Sequence, residues 1–250
     1  MGLSQTNPLL PVSARNNPFL ARQSPLLCYV TDRRSLPVAN SADSIDALTR
    51  KIAEIAATGV DWVQIREKDL TARELASLTR QALTIAGKYS AKRSSTVRVL
   101  VNDRLDVALA ERADGVHLGE KTLPVGEAKR LIASAVRRQP IDESFLIGVS
   151  CHSIEAAQAA ERDGADYIFF GPIFATPSKA GFGEPQGLAR LAQVCRAANL
   201  PVLAIGGVAV ENVESCLAAG AAGIAAIRLF QSAVDPRKTV SSMRPFVKPE

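Results

Sequence analysis

Apolar residues recur along the chain with two alternating periods. Short apolar runs of four to six residues, typical of buried strands, alternate with longer stretches in which apolar side chains recur every three or four positions. The longer stretches are typical of helices with one buried face. Strands are predicted at residues 26–30, 60–65, 97–101, 114–118, 145–149, 167–170, 201–205 and 222–227.

A helix is predicted after each strand. The helices are predicted at 44–57, from 71 onward, and at 105–110, 123–138, 153–163, 187–198 and 210–219, with a last helix after the eighth strand. Thr71 and Glu74 have the spacing of a capping box at the start of the second helix. Strands that alternate with helices form a parallel sheet, and eight such units close into a barrel. The predicted fold class is therefore α/β, a single (β/α)8 TIM barrel.

The predicted barrel domain covers residues 25–245, preceded by a flexible extension at 1–24 that is rich in Pro, Asn and Ser. Glycines recur in similar short contexts before strands, at Gly59, Gly115, Gly164 and Gly220/Gly223. We interpret them as turns at the base of the barrel.

Charge and composition narrow the class of partner. The chain has 250 residues and a formal net charge of +5 at pH 7, but its basic residues are scattered and are not interleaved with aromatic residues. Nucleic acid is therefore not an expected partner. A basic balance suits a small phosphorylated substrate.

The four cysteines, at positions 28, 151, 195 and 216, have neither CxxC nor metal-ligand spacing and are typical of reduced thiols in a cytoplasmic enzyme. No apolar run is long enough to span a membrane, and the first two dozen residues lack the apolar core of a signal peptide. We therefore expect no membrane partner. A homo-oligomer is left open.

The second predicted strand ends in an unusual polar cluster. An amide and four charged residues lie between Gln64 and Asp69. Arg66 and Lys68 are two residues apart and face the same side if the strand geometry continues. They suggest a clamp for an anion, with Glu67 pointing away or holding them in place. The alternative is a solvated strand end with salt bridges.

Polar residues follow most of the other strands, where the loops of a TIM barrel carry its chemistry. They are Thr31 and Asp32, Asn102 and Asp103, His117, Ser150 and His152, Thr176 to Lys179, Gly206 and Gly207, and Arg228. A double glycine after the seventh strand is typical of phosphate binding through backbone N–H groups.

Individual residues suggest particular roles. Lys179 either folds down on an anion or is simply exposed to solvent. Asp103 suits Mg²⁺ carrying phosphates. Asp103 as a helix cap is the alternative. His152 is a candidate for proton transfer near neutral pH, whereas His117 is either a site residue or a core residue. Neither a zinc site nor a Schiff-base lysine is predicted.

Six motifs, in order, resemble those of the thiamine-phosphate synthases and their thiazole-tautomerase relatives over about residues 26–235. They are VQIREK at 63–68, VNDR at 101–104, GVHLG at 115–119, GVS at 148–150, GPIFATPSK at 171–179 and AIGGV at 204–208. The resemblance implies condensation of hydroxymethylpyrimidine diphosphate with hydroxyethylthiazole phosphate, with release of diphosphate.

The resemblance also assigns roles. The pyrimidine diphosphate would be held by Gln64, Ile65, Arg66, Glu67, Lys68, Asn102, Ser150 and Lys179. The thiazole phosphate would be held by Thr176, Pro177, Ser178, Gly207, Ile227 and Arg228. Asp103 would bind Mg²⁺ as the cofactor, and Arg66, Lys68, Lys179 and His152 would act in catalysis.

Two departures from the family pattern leave alternatives open. Thr122 stands where the family usually has a second Mg²⁺-binding Asp, and Arg228 stands where it usually has a small residue. These changes favour the tautomerase branch, in which His152 would shuttle a proton on a thiazole carboxylate phosphate. The Asn102–Asp103 pair favours the synthase. A non-catalytic barrel that binds a phosphate ligand is the third reading.

Overall fold

Eight parallel strands close into a barrel in sequence order, which confirms the predicted (β/α)8 fold. The computed structural model describes residues 24–37, 44–91, 96–136, 144–176 and 184–245. The strands are β1 Leu26–Val30, β2 Trp62–Ile65, β3 Arg98–Asn102, β4 Gly115–Leu118, β5 Leu146–Cys151, β6 Tyr167–Phe170, β7 Val202–Ile205 and β8 Gly223–Ala226. The predicted extension lies almost wholly outside the described residues.

Helices surround the barrel. They are α1 Ser44–Ala56, α2 Ala72–Ser90, α3 Leu105–Ala110, α4 Val125–Val136, α5 Ile154–Asp163, α6 Gly187–Ala197, α7 Val210–Ala218, α8 Arg228–Gln231 and α9 Pro236–Met243. The predicted capping box of Thr71 and Glu74 is present at the start of α2. In the part of the chain that the structure describes, no helix is long and apolar enough to cross a membrane.

Two differences from the predicted elements affect the site, and other element ends shift by one or two residues. Strand β5 runs to Cys151 instead of ending at residue 149, because Ser150 and Cys151 pair with Phe169 and Phe170 of β6. Ser150 therefore lies within a strand, and its backbone position is fixed by the sheet. After β8 the chain forms two helices, α8 and α9, where one was predicted.

An aspartate precedes three of the even-numbered strands and joins each one to the strand before it. Its backbone N–H donates to a carbonyl of the preceding strand, and its carboxylate accepts from the N–H of that same residue at 2.7–2.9 Å. The pairs are Leu27–Asp61, Val99–Asp114 and Ile147–Asp166. These paired bonds fix the register of the strands at the base of the barrel.

The predicted glycine turns are only partly correct. Gly59, Gly164 and Gly220 have φ values of 100°, 85° and 99°, which are accessible to glycine at little cost. Gly115 and Gly223 instead begin strands. A Cβ atom would lie 2.4 Å from the Leu146 carbonyl oxygen at position 115, and 2.1 Å from that of Leu26 at position 223. Close strand packing, not turn geometry, requires glycine there.

The strands separate two apolar layers, because successive side chains point to opposite faces. One layer packs between the barrel and the helices. The other fills the barrel interior with Leu26, Cys28, Val30, Trp62, Leu100, Leu146, Tyr167, Phe169, Leu203 and Ala225. The candidate site lies beyond this filling, in a cavity lined by residues at the carboxyl ends of the strands.

Candidate active site

A cavity of about 580 Å³ lies at the carboxyl ends of the strands and gathers most of the predicted site residues. Among those that line it are Gln64, Arg66, Lys68, Asn102, Asp103, His117, Ser150, His152, Thr176, Gly207, Ile227 and Arg228. They come from seven of the eight strands or the loops that follow them. Residues more than 160 positions apart in the sequence thus share one opening.

Five predicted site residues do not appear there. Ile65 is fully buried in the layer between barrel and helices, because strand alternation turns its side chain away from the interior. Glu67 is also buried and is absent from the cavity lining. Glu67 thus points away from the cavity, as one of the two sequence-based expectations had it, and the contact of Ile65 and Glu67 with the pyrimidine diphosphate stays a prediction. Pro177, Ser178 and Lys179 lie outside the described residues.

Glu67 anchors the segment that carries the two cavity cations, Arg66 and Lys68. Its carboxylate accepts hydrogen bonds from Thr31 Oγ1 at 2.7 Å and from Arg33 Nη1 and backbone N–H at 3.1 Å. Thr31 Oγ1 in turn accepts from the Arg66 N–H at 2.9 Å. Burial raises the pKa of the Glu67 carboxyl, and the bonds from Thr31 and Arg33 oppose that rise. Glu67 therefore holds the segment of Arg66 and Lys68 in place without lining the cavity itself.

The carboxylate of Asp103 is surrounded by donors. Oδ1 accepts from the Gly119 N–H at 2.7 Å and lies 2.8 Å from the Thr122 hydroxyl, and Oδ2 accepts from Asn102 Nδ2 at 2.8 Å. Asp103 has a φ of 59°, an uncommon value for a residue with a side chain. The predicted alternative of a helix cap does not hold, since α3 has Arg104 at its N-cap position.

The Asp103 carboxylate also determines how two amides are oriented. Because Asn102 directs its NH₂ group to Asp103, its Oδ1 faces Gln64 and accepts from Gln64 Nε2 at 2.8 Å. The remaining oxygen, Gln64 Oε1, is buried and has no hydrogen-bond partner within the described residues. A buried acceptor without a partner is costly, so Gln64 is prepared to accept a hydrogen bond from a ligand.

The donor set near Asp103 suits Mg²⁺ better than a softer metal. The described residues contain no group of three or more His, Cys, Asp or Glu side chains able to hold a metal. Asp103 and the Thr122 hydroxyl offer hard oxygen atoms 2.8 Å apart. Mg²⁺ is commonly bound by one or two carboxylates together with substrate phosphates and water. These residues fit an ion that takes its other ligands from a bound diphosphate.

His117 is neutral and lies in the floor of the cavity. It is 2% exposed, and burial together with the nearby Arg66 lowers its pKa to about 3. Its Nδ1 atom lies 3.1 Å from the Tyr167 hydroxyl and its Nε2 atom 3.0 Å from Ser150 Oγ. The ring is 4.0 Å from that of Phe169. Both alternatives for His117 are thus correct, since it is packed in the core and faces the site.

His152 has a geometry suited to proton transfer. Its Nδ1 atom lies 2.5 Å from the Gly171 carbonyl oxygen, which only accepts, so Nδ1 carries the hydrogen. Its Nε2 atom is then free to accept a proton and lies 3.7 Å from Glu120 Oε2. Both side chains line the cavity.

The part of the cavity lining that follows β7 and β8 contains two adjacent glycines and one cation. Gly206 and Gly207 have φ values of 91° and 68°, and a Cβ atom on Gly207 would lie 2.7 Å from backbone oxygens of the loop after β6. The guanidinium of Arg228 donates to Thr176 Oγ1 at 2.7 Å. Backbone N–H groups and a cation together suit a phosphate.

Some lining residues were not predicted. Ser35, Gly119, Phe169, Ile205, Val208 and Ala226 also line the cavity. Phe169 points into the barrel interior, whereas Ala226 belongs to the layer between barrel and helices and lines the cavity at the end of β8. Ser35 reaches the cavity because it is bonded to Gln231, 196 residues later, and no pattern in the sequence indicates that contact.

These features define a TIM barrel with a polar, cation-lined mouth suited to two phosphorylated groups. The thiamine monophosphate synthase family model matches residues 35–230. A putative thiamine-phosphate synthase of Geobacter sulfurreducens is 44% identical over 193 residues, 77% of this chain and 84% of that protein. The thiamine-phosphate synthase of Roseiflexus castenholzii is 38% identical over 218 residues, 87% and 86% of the two chains.

A solved structure agrees with these relatives. The thiamine phosphate pyrophosphorylase from Pyrococcus furiosus superposes with a TM-score of 0.70 at 30% identity, over 87% of this chain and 93% of that one. The chain belongs to the thiamine monophosphate synthase family.

Proposed function

We propose that the protein is a thiamine-phosphate synthase, a transferase of thiamine biosynthesis. It joins 4-amino-2-methyl-5-hydroxymethylpyrimidine diphosphate to hydroxyethylthiazole phosphate and releases diphosphate. Family membership and the relatives named thiamine-phosphate synthase support this function. The observation that carries it in the structure is the shared cavity, which is lined by Arg66, Lys68 and Asp103 after β2 and β3 and by Gly207 and Arg228 after β7 and β8.

Arg66 and Lys68 are the side chains proposed to help the diphosphate leave. The C–O bond between the pyrimidine methylene and the diphosphate breaks, and both electrons leave with the oxygen. Arg66 and Lys68 stabilise the negative charge that develops there. The thiazole nitrogen then donates its electron pair to the methylene carbon. The protein contributes mainly charge and position, and no basic group is needed for the new C–N bond.

Gln64 supports recognition of the pyrimidine ring. Its Oε1 atom is a buried acceptor without a partner within the described residues, and the amino group of the pyrimidine is a donor. A pyrimidine ring without the amino group is therefore expected to bind more weakly, because it would leave Gln64 Oε1 unpaired. The resemblance assigns Gln64 to the pyrimidine diphosphate, and Oε1 is the atom proposed to make that contact.

Mg²⁺ is the proposed cofactor. Asp103 and Thr122 would hold it, and when bound the ion neutralises charge on the departing diphosphate. The hydrogen bonds from Gly119 and Asn102 keep the Asp103 carboxylate in place. The phosphate of the thiazole would lie at Gly207, the Ile227 backbone, Arg228 and Thr176, and the resemblance adds Pro177 and Ser178.

The direct test is turnover with both substrates and Mg²⁺, monitored as thiamine phosphate. Lys68→Ala and Asp103→Ala are each expected to lower kcat/KM at least about tenfold, or about 1.4 kcal/mol. Lys238→Ala is the matched control, because Lys238 lies exposed on α9. Wild-type rates in both site variants would refute the assignment.

A second candidate activity is tautomerisation of a thiazole carboxylate phosphate. The geometry of His152 favours it, since Nδ1 is bonded to Gly171 and Nε2 faces Glu120 in the cavity. Incubation with the thiazole tautomer tests this activity. His152→Ala is expected to abolish tautomerisation and to spare the coupling reaction. Loss of coupling in that variant would instead place His152 in the synthase reaction.

A cytoplasmic location is part of the proposal. The four cysteines are free thiols, and three of them are buried. Free thiols are typical of proteins in a reducing compartment. Recovery of the enzyme with the cytoplasmic fraction of its source cells would support this location, and recovery outside it would exclude it.

A further inference from the structure

A row of three hydrogen-bonded side chains runs from the barrel core to the cavity. Tyr167 on β6, His117 on β4 and Ser150 on β5 are joined by contacts of 3.1 Å and 3.0 Å to the two ring nitrogens of His117. Tyr167 is fully buried and does not line the cavity, whereas His117 and Ser150 do. The row therefore connects Tyr167, which cannot contact a ligand in the cavity, with Ser150, which can.

The direction of the hydrogen bonds follows from counting protons. A neutral imidazole has a hydrogen on only one nitrogen, so one ring nitrogen donates and the other accepts. If Nδ1 donated to Tyr167, the hydroxyl hydrogen of Tyr167 would have no acceptor among the described residues, since His117 is its hydrogen-bond partner. A buried hydroxyl without an acceptor is costly.

The alternative direction satisfies each group. Tyr167 donates to Nδ1, the hydrogen lies on Nε2, and Nε2–H donates to Ser150 Oγ. The oxygen of Ser150 is then engaged as an acceptor, and its own hydrogen is left to point elsewhere. Since Ser150 lines the cavity, that hydrogen is available to whatever the cavity holds.

We propose that Tyr167, acting through His117, fixes Ser150 as a hydrogen-bond donor to the bound pyrimidine diphosphate. Tyr167 and His117 are thus positioning residues, and Ser150 makes the contact. The identity of the substrate rests on the proposed function, whereas the direction of the hydrogen bonds does not.

The protonated nitrogen of His117 can be measured without substrate. The chain has 2 histidines, so histidine-selective ¹⁵N labelling gives two imidazole patterns, and His152→Ala assigns them. At pH 8, His117 is expected to carry its hydrogen on Nε2 and His152 on Nδ1. A hydrogen on Nδ1 of His117 would overturn the proposal. If the wild-type protein failed to make thiamine phosphate, the proposed function would fall while this result stood.

Kinetics test whether the row acts on substrate. Tyr167→Phe removes one hydroxyl and is expected to raise KM for the pyrimidine diphosphate about fivefold, as loss of one ordered hydrogen bond does. Tyr89→Phe is the matched control. Tyr89 lies on α2 and does not line the cavity, and KM is expected to stay at the wild-type value.

A double-mutant cycle separates this effect from general loosening of the core. In a Ser150→Ala background, Tyr167→Phe is expected to change KM by less than about twofold, because the donor it fixes is gone. An equal fivefold effect in both backgrounds would show that Tyr167 acts on the fold rather than through Ser150, and the proposal would be abandoned.

Discussion

Arg228 and Thr176 are joined by a hydrogen bond of 2.7 Å from the guanidinium Nη2 to the threonine Oγ1. Thr176 follows β6 and Arg228 begins α8 after β8. Strand β7 lies between β6 and β8 in the barrel, so the contact joins the segments on either side of Gly206 and Gly207, which follow β7 and line the cavity. A cation that is held in place in the same cavity as this double glycine is suited to bind a phosphate more tightly than the backbone alone.

Arg228→Ala is expected to raise KM for hydroxyethylthiazole phosphate about tenfold, with a smaller change in kcat. The reason is loss of a charge-assisted hydrogen bond, about 1.5–3 kcal/mol. Steady-state kinetics with the pyrimidine diphosphate saturating measures it. Arg80→Ala is the control, since Arg80 is exposed and pairs with Glu111 away from the cavity. A lower KM in Arg228→Ala would mean that the side chain crowds the phosphate.

Thr122→Asp is expected to strengthen Mg²⁺ binding about tenfold, or about 1.4 kcal/mol. Position 122 lies against Asp103, so the change would place a second carboxylate beside the first, and Mg²⁺ favours such oxygen ligands. Calorimetric titration of Mg²⁺ in the presence of diphosphate measures the affinity. Thr122→Val, which removes the hydroxyl without adding charge, is the control. Equal affinities in Thr122→Asp and wild type would place the metal elsewhere.

Glu67→Ala is expected to lower the free energy of unfolding by about 3 kcal/mol, because it breaks a buried ion pair and leaves Arg33 with one partner fewer. KM for the pyrimidine diphosphate should rise in parallel, as the segment carrying Arg66 and Lys68 loses its anchor. Urea unfolding and kinetics measure the two effects. Asp69→Asn alters the exposed partner of the same arginine and should cost less than about 1 kcal/mol. Equal losses in both variants would contradict a special role for Glu67.

Acidification is expected to destabilise the protein through His117. Its folded-state pKa of about 3 lies below that of an unfolded chain, about 6.5. Below about pH 6.5, His117 therefore becomes protonated in the unfolded chain but stays neutral in the folded chain. The stability contributed by neutral His117 is present above that pH and is lost towards pH 3, at up to about 1.4 kcal/mol per pH unit.

His117→Gln isolates this contribution. Between pH 7 and pH 5, the variant should lose about 2 kcal/mol less than wild type in urea unfolding, since the other titrating groups are common to both proteins. Parallel pH profiles for the two proteins would show that His117 is protonated in the folded state.

Much of the site was predictable because strand ends of a parallel barrel meet at one rim. Arg66, Lys68, Asn102 and Asp103 follow clear apolar runs, so their convergence required only the count of strands. Ile65 and Glu67 show the limit of that reasoning. They lie within the same motif, yet their side chains face away from the cavity.

The sequence by itself determined the barrel, the order of its strands and the chemical types that reach its mouth, because these follow from local apolar periods and from residues adjacent to them. Only the tertiary structure decided which atoms are left for a ligand. The buried charge of Glu67 is paired with Arg33, the free oxygen of Gln64 depends on Asp103, and the proton of His117 depends on Tyr167. Each of those outcomes is set by a partner distant in the chain, and a hydrogen bond has a direction only when both partners are in place.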